Sequence, residues 1–427
     1  MKNAALLLSL SLLAYGLPAS PRAGQALSFS DCVKEASTHN LDLLSAEQSL
    51  KAADNAKLAS LGQFLPQINL NGSLNRSGSD TGIGGALNDP NYSSGAHLSL
   101  SASENLFSGF KDISSVDSAN AQLDLARAQL TQAKAQLSHD LKSSFYNLLY
   151  SQKQIDLLQA IADRNKANQD LVEMNYKGGT DNKGSLLQAQ AAYQESVFEV
   201  DQAKRGLHLA QRQLAQLLGR ALSDSLEVSG SFDVPALAKE TPDFQKLVLQ
   251  TPAHLQSLAQ LHLSESQYVS SRGNFLPTLS ANAALSRDGS SFDDMSPSWN
   301  AGLSLNFPLF TGGRDFFNLK SAEESKYGAE DNLRNTDLKT ASSLESAFTS
   351  FQNAVENTQV QEGFLTAAQT REEIAKAEYL NGLLTFQNWD DLETNLTSQQ
   401  KSELSSYLSA KTAEANWELT QGKGVIP

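Results

Sequence analysis

The chain is predicted to be mainly α-helical with a small membrane β component, and three features of its 427 residues predict this. Four stretches alternate apolar and polar residues strictly. One very long segment, Ile113–Met174, contains neither proline nor glycine. The strand pair and the long helical segment after it recur in a second half of the chain. The strand stretches come first: Gln67–Asn75 carries Ile68, Leu70 and Leu74 between Asn69, Asn71, Ser73 and Asn75. Leu98–Ser103, Thr278–Ser286 and Trp299–Phe307 follow the same rule. Alternation puts one side of a strand in an apolar phase and the other in water. A soluble antiparallel sheet with one wet face would alternate in the same way. The export signal, the scarcity of aromatic core and the doubled hairpins favour a barrel.

The duplication is read from three markers. Gly62-Gln63-Phe64-Leu65-Pro66 returns as Gly273-Asn274-Phe275-Leu276-Pro277, an offset of 211 residues (62 to 273). Leu106-Phe107-Ser108-Gly109 returns as Leu309-Phe310-Thr311-Gly312, and Tyr176-Lys177-Gly178-Gly179 as Tyr379-Leu380-Asn381-Gly382, both offset by 203 (106 to 309, 176 to 379). Each half therefore reads helix, strand, strand, long helix, turn, helix. Pro66 and Pro277 cannot continue a helical ladder and push the preceding residue to extended geometry, so each switches helix to strand. Turn formers crowd Gly78–Gly95 and Asp288–Pro297 between paired strands.

After each hairpin comes an unusually long helix. Ile113–Met174 would extend roughly 90 Å, with a seam of Ala119, Leu123, Ala126, Leu130, Ala133 and Leu137 in steps of four and three. The second seam is Ala341, Leu344, Phe348, Phe351 and Val355. Return helices are expected at Ser185–Leu218, with seam Leu207, Ala210, Leu214 and Leu217, and at Asp390–Ala415. Helices Ser30–Phe64 and Ala253–Phe275 precede the hairpins.

Composition excludes several classes. The formal charge is -14, from 33 Lys+Arg and 47 Asp+Glu, and no basic patch with interleaved aromatics appears, which excludes nucleic acid as a partner. Lys2, the apolar run Ala4–Leu13 and small residues to Ala26 read as a cleaved signal peptide, since the run is too short to span a bilayer. No later stretch approaches the ~20 apolar residues of a transmembrane helix. Any membrane entry is therefore through strands. Four strands cannot close alone, because every backbone donor and acceptor in hydrocarbon must be paired. Two protomers would supply 8 strands and three would supply 12, the smallest known barrels having about eight.

These residues identify a resemblance to the TolC family of outer-membrane efflux proteins. It is carried by Gly62–Pro66, Gly273–Pro277, Leu217-Leu218-Gly219-Arg220, Phe307-Pro308-Leu309-Phe310-Thr311-Gly312-Gly313 and the two Tyr-to-Gly turns. The resemblance implies a homotrimer: a 12-stranded outer-membrane β-barrel continuous with a 12-helix periplasmic α-barrel, four strands per protomer. It implies a passive exit duct of a tripartite efflux or type I secretion system. The duct would receive substrate from an inner-membrane pump (RND, ABC or MFS type) through a periplasmic adaptor, or membrane fusion, protein. It would sit in outer-membrane lipid of a Gram-negative bacterium.

On that frame the chain divides into a signal peptide (1–26), periplasmic helices (27–66), hairpin 1 (67–105) and the helices and tip turn of repeat 1 (106–218). An equatorial segment (219–252), a helix (253–277), hairpin 2 (278–308), the helices and tip turn of repeat 2 (309–415) and an equatorial tail (416–427) follow. Alternatives are a trimeric coiled-coil surface or structural protein anchored by a shared barrel, and a periplasmic helical adaptor whose strands form soluble sheet.

No catalytic residue, cofactor or metal site is expected. The histidines His39, His97, His139, His208, His254 and His262 are scattered without ligand spacing. Gly178-Gly179 with Lys183-Gly184-Ser185 lacks the strand and spacing of a phosphate loop. The lone Cys32 excludes an intrachain disulfide, and Asp31 before it disfavours a lipid-attachment site. By the resemblance, the functional residues lie at the helix turns. The adaptor-contacting tip is Gly178, Gly179 and Thr180 with Asn381, Gly382, Leu383, Leu384 and Thr385; the first turn lacks the leucine after glycine. The periplasmic gate is Asp390, Asp391, Tyr379 and Asp181. A threefold acidic ring would favour cations, although acidic residues also suit any helix N-terminus. Trp389 would either wedge the tip or pack between helices.

Overall fold

The computed structural model describes residues 26–79, 91–222, 225–234 and 241–426. The expected signal peptide, the centre of the first hairpin loop and part of the 219–252 segment lie outside the described residues. In order, the elements are α1 (Phe29–His39), α2 (Leu41–Leu61), β1 (Gln67–Ser79), β2 (Asn91–Phe107), α3 (Lys111–Lys177) and α4 (Lys183–Leu217). Then follow α5 (Phe244–Val248), α6 (Pro252–Gly273), β3 (Thr278–Gly289), β4 (Met295–Asn306), α7 (Arg314–Leu380) and α8 (Phe386–Thr420).

The repeat is close to quantitative. Helices α3 and α7 each have 67 residues, and α4 and α8 each have 35. At ~1.5 Å per residue the long pair reaches ~100 Å, and each return helix about half of that. The helix before hairpin 1 breaks at Asn40, which ends α1 and caps α2: its Oδ1 accepts from Leu43 N at 3.0 Å while its Nδ2 donates to the Leu217 carbonyl at 3.1 Å. Helix α8 begins at Phe386, not at Asp390 as the sequence suggested, because Thr385 caps it by accepting from Asn388 N. The strands are longer than their alternating cores. Pro297, expected in a loop, pairs with Arg287 near the outer end of β4, an edge strand of the protomer where a missing N–H is tolerated.

The four strands form one antiparallel sheet in the order β1-β2-β3-β4. Register puts Leu70, Leu100, Leu285 and Trp299 in one row on one face. Asn71, Ser99, Ser286 and Ser298 form the adjacent row on the other. Trp299 is 77% exposed and Leu70 71% exposed within the protomer, so the apolar face is uncovered by protein. On that face Glu104 at the helix end and Arg287 at the outer end bound the apolar band. On the polar face, His97 and Asp288 pair at 2.6 Å near the outer end.

Two glycines set how the strands hand over to helices. Gly109 has φ +71°, and a Cβ there would lie 2.6 Å from the Gly273 carbonyl oxygen; a Cβ on Gly273 would lie 2.5 Å from the Gly109 oxygen. The two repeats touch backbone to backbone directly under the sheet, which only glycine permits. Phe110, the N-cap of α3, also has positive φ (66°), where its counterpart is Gly313.

The main core lies at mid-height, around Cys32, Leu141, Phe145, Leu148, Leu214, Leu218, Val228 and Ile426. Leu27 bridges Val228 in parallel, and Gln152 bonds both the N–H and the C=O of Val228. Arg220 grips Glu35 through two contacts of 2.5 and 2.7 Å. The seam expected on α3 is only half buried at Ala119, Leu130 and Ala133. A second, heptad-spaced row of Ser114, Ala121, Ala128, Ala135, Lys142 and Leu149 is fully buried beside it, because α3 packs on α2, α4, α6 and α8. Cys32 is a fully buried residue inside α1, its thiol pushed up to about 12 by burial, so this sulfur is a core group.

Candidate functional site

The two turns α3–α4 and α7–α8 are built alike. Gly179 (φ +79°) and Gly382 (φ +70°) take the left-handed conformation that closes each long helix. Thr180 N then donates to the Asn175 carbonyl, and Leu383 N to the Glu378 carbonyl, both at 2.9 Å. This satisfies carbonyls a helix end would otherwise orphan. Asn182 caps α4 as Thr385 caps α8. Gly178 ends α3, Thr180 Oγ1 also donates to the Asn175 carbonyl, and Asn381 Nδ2 donates to the Ala377 carbonyl.

Tyr379 joins the turns. Its hydroxyl donates to Asp181 Oδ2 at 2.5 Å and accepts from Asn175 Nδ2 at 3.0 Å. Burial, then the bond to Asp181, pushes the phenol up to about 12. The ring stacks on Trp389 with centroids 4.6 Å apart and planes 18° apart, and Phe386 meets both rings edge-on. Trp389 is 1% exposed, so it packs between helices. Its Nε1 donates to Glu372 of α7 at 3.3 Å.

The expected gate acids separate in space. Asp390 is half-buried and turned toward Gln188 of α4; burial raises its pKa, with Asp391 adding to the rise. Asp391 is exposed and accepts from Gln387 Nε2 at 3.1 Å. Neither lies in the first turn of α8, which has no acidic residue, so the helix-dipole reading of these aspartates falls away. The two leucines also divide. Leu383 projects outward at 79% exposure, whereas Leu384 packs into the cluster of Val172, Ala375, Tyr379 and Trp389.

A second polar group above the turns was not foreseen. Arg164 of α3 binds three side chains on α8: Glu393 through Nε, Thr397 at 3.0 Å and Gln400 at 3.2 Å. Glu393 is buried, and its Oε2 has no hydrogen-bond partner among the described residues. Burial raises its pKa against the opposing pull of Arg164, and Glu372 adds to the rise. The partners lie 229 residues apart, beyond the reach of any local motif. Lys401 on α8 likewise meets Glu199 on α4 at 2.6 Å.

Among the described residues, no group of three or more His, Cys, Asp or Glu could hold a metal ion, and no helix is long and apolar enough to cross a membrane. A two-faced sheet stands at one end, long helices run from it, and the two linked turns lie at the other end. That is the architecture of an outer-membrane channel.

The chain belongs to the outer membrane efflux protein family, whose profile matches residues 32–220 and 245–421. It is 22% identical over 405 residues to the probable outer membrane lipoprotein SilC of Salmonella typhimurium, covering 92% of this chain and 85% of that one. Among solved structures, CusC aligns with TM-score 0.83 at 18% identity over 93% of this chain and 92% of that one. VceC of Vibrio cholerae aligns with TM-score 0.80 at 19% identity, over 93% and 96%. In this fold three protomers of four strands make the 12-stranded barrel, with the sheet in the outer membrane and the helices in the periplasm. The protein is an outer-membrane efflux channel.

Proposed function

We propose that the channel is the exit duct of a tripartite efflux assembly, closed at its periplasmic end by the two turns and opened when a periplasmic adaptor engages them. The observation that carries this reading is the Tyr379–Asp181 bond, which ties turns 198 residues apart into one layer. A tie of this kind holds α7 and α8 against α3 and α4, and rearranging the tip requires breaking it. Asp391, exposed beside the tie, supplies the acid of the aperture; three copies focus negative potential and favour cations. Asp390 acts from within the packing, against Gln188.

Leu383 and Thr180 form the outward contact for the adaptor, with Gly178, Gly179, Asn381 and Gly382 shaping the turns and Leu384 and Thr385 anchoring them. An inner-membrane pump of RND, ABC or MFS type delivers the cargo, and the protein itself performs no catalysis. The described parts of 219–252 and 416–427 form the equatorial layer around the helices. Photo-crosslinking from position 383 in the native cell tests the assignment. Capture of a periplasmic adaptor is the expected result; a probe that captures none while a probe on the barrel end does would refute it.

A further inference from the structure

Just above the linked turns three helices bring together charges that do not balance. Helix α3 supplies Arg164, α7 supplies Glu372 and α8 supplies Glu393. Arg164 gives its Nε to Glu393 and turns its other NH groups to Thr397 and Gln400. Glu372 is met by a neutral donor, Trp389 Nε1, at 3.3 Å. Both carboxyls are sealed from water, at 9% exposure for Glu372 and 6% for Glu393. One guanidinium therefore answers two buried carboxyls. Helix α4 meets the small cavity beside Glu393 with Ala189 and Ala192, which carry no charge. Asp390 of α8 lines that cavity too, and adds a third acid rather than a cation.

A buried charge without a partner is strongly unfavourable, and two carboxyls that share a site avoid it by keeping a proton. Glu372 and Glu393 lie within hydrogen-bond reach of one another. With both ionised, neither has a proton to donate, and Glu393 Oε2 is left without a partner among the described residues. One proton turns the facing pair into donor and acceptor.

We infer that Glu372 and Glu393 hold a single proton between them while the tip is closed, which makes the clasp of α3, α7 and α8 a proton-operated latch, fastened by acid and loosened by alkali. The latch reaches the turns through Trp389, which donates to Glu372 and stacks on Tyr379. When the helices part and water enters, the carboxyls regain ordinary acidity and the proton leaves to bulk water. Burial, with Glu372 adding to it against the pull of Arg164, holds Glu393 above the usual carboxyl value of 4.5 in the closed state. The stabilisation is thus complete below pH 4.5 and is lost as pH rises through the raised value. One proton per protomer shifts the closed–open balance by at most about tenfold per pH unit. This inference rests on the tip-closing role of the turns and adds a proton-linked element to it.

Glu393→Gln and Glu372→Gln test it, because each leaves one carboxylate facing one guanidinium with no proton to share. Infrared spectra of the purified trimer should show a protonated-carboxyl band that fades as pH rises and is missing from both variants. In planar bilayers between pH 4.5 and pH 10.0, below the range of the Tyr379 phenol, the parent's open-time fraction should climb with pH by up to about tenfold per unit. Both variants should lose that slope. The parent's melting temperature should likewise fall with rising pH relative to the variants, whereas a purely structural carboxyl would displace it equally at every pH. No carboxyl band separating parent from variants overturns the shared proton. A band accompanied by the same pH slope of opening in parent and variants overturns the latch, given that Tyr379→Phe opens the channel. If Tyr379→Phe leaves opening unchanged, the tip-closing reading is what fails, and the infrared and melting data still decide the shared proton.

Discussion

Replacing Tyr379 by Phe removes one hydroxyl and leaves the ring. The lost group donates to Asp181 at 2.5 Å and accepts from Asn175 at 3.0 Å, while the stack on Trp389 at 4.6 Å is retained. A hydrogen bond to a charged acceptor contributes ~1.5–3 kcal/mol. Lost from the closed state only, that is a shift of roughly 10- to 150-fold toward opening per protomer. Asp181→Asn keeps an acceptor and loses the charge, so its effect should be smaller. The sign of the pH response follows from the phenol. Its pKa is raised from 10.0 to about 12 in the closed tip, so the closed state holds the proton longer. The contribution is complete below pH 10 and is lost as pH rises through about 12. Purified channels in planar bilayers give both readouts: open-time fraction at neutral pH, and its rise under alkali. Tyr379→Phe should open more at neutral pH and lose the alkaline rise. Traces matching the parent under both conditions would refute the tie as a closing element.

Three further outcomes follow from the geometry. Asp391→Asn should lower the cation preference measured from reversal potentials, while Asp390→Asn, half-buried against Gln188, should change it little. Arg164→Ala strands the buried Glu393 carboxylate and should destabilise the helix bundle by about 3 kcal/mol. That effect should be visible as a lower melting temperature, and Arg164→Ala with Glu393→Leu should recover much of it. Gly109→Ala forces a Cβ to 2.6 Å from the Gly273 oxygen at a positive φ, and should reduce the yield of heat-labile trimer in membranes.

The helices, strands and turns were legible because periodicity, Pro66, Pro277 and the turn glycines act locally. Boundaries failed where a cap decided them: Thr385 starts α8 four residues before the first of the aspartates that seemed to mark it. The turn formers around Pro297 predict a loop, and only the pairing with Arg287 makes it strand. At the site, the repeated Tyr-to-Gly pattern marks both turns, and Tyr379 and Asp181 follow there from the family resemblance. The different fates of Asp390 and Asp391 could not, since adjacent helical positions differ by a rotation that only packing fixes. Arg164, Glu372 and Glu393 carry no motif; helices distant in sequence bring them together. Alternating residues on β1 to β4 displayed two faces but not the order of the strands, which depends on how the repeats meet at Gly109 and Gly273.

The central claim is that separate copies complete one barrel in lipid. Mass measurement of the mature protein extracted in mild detergent, with unheated electrophoresis alongside, tests it most directly. Three chains per particle, dissociating only on heating and requiring amphiphile to stay in solution, is the predicted result. A monomer that remains dissolved in plain buffer would contradict it.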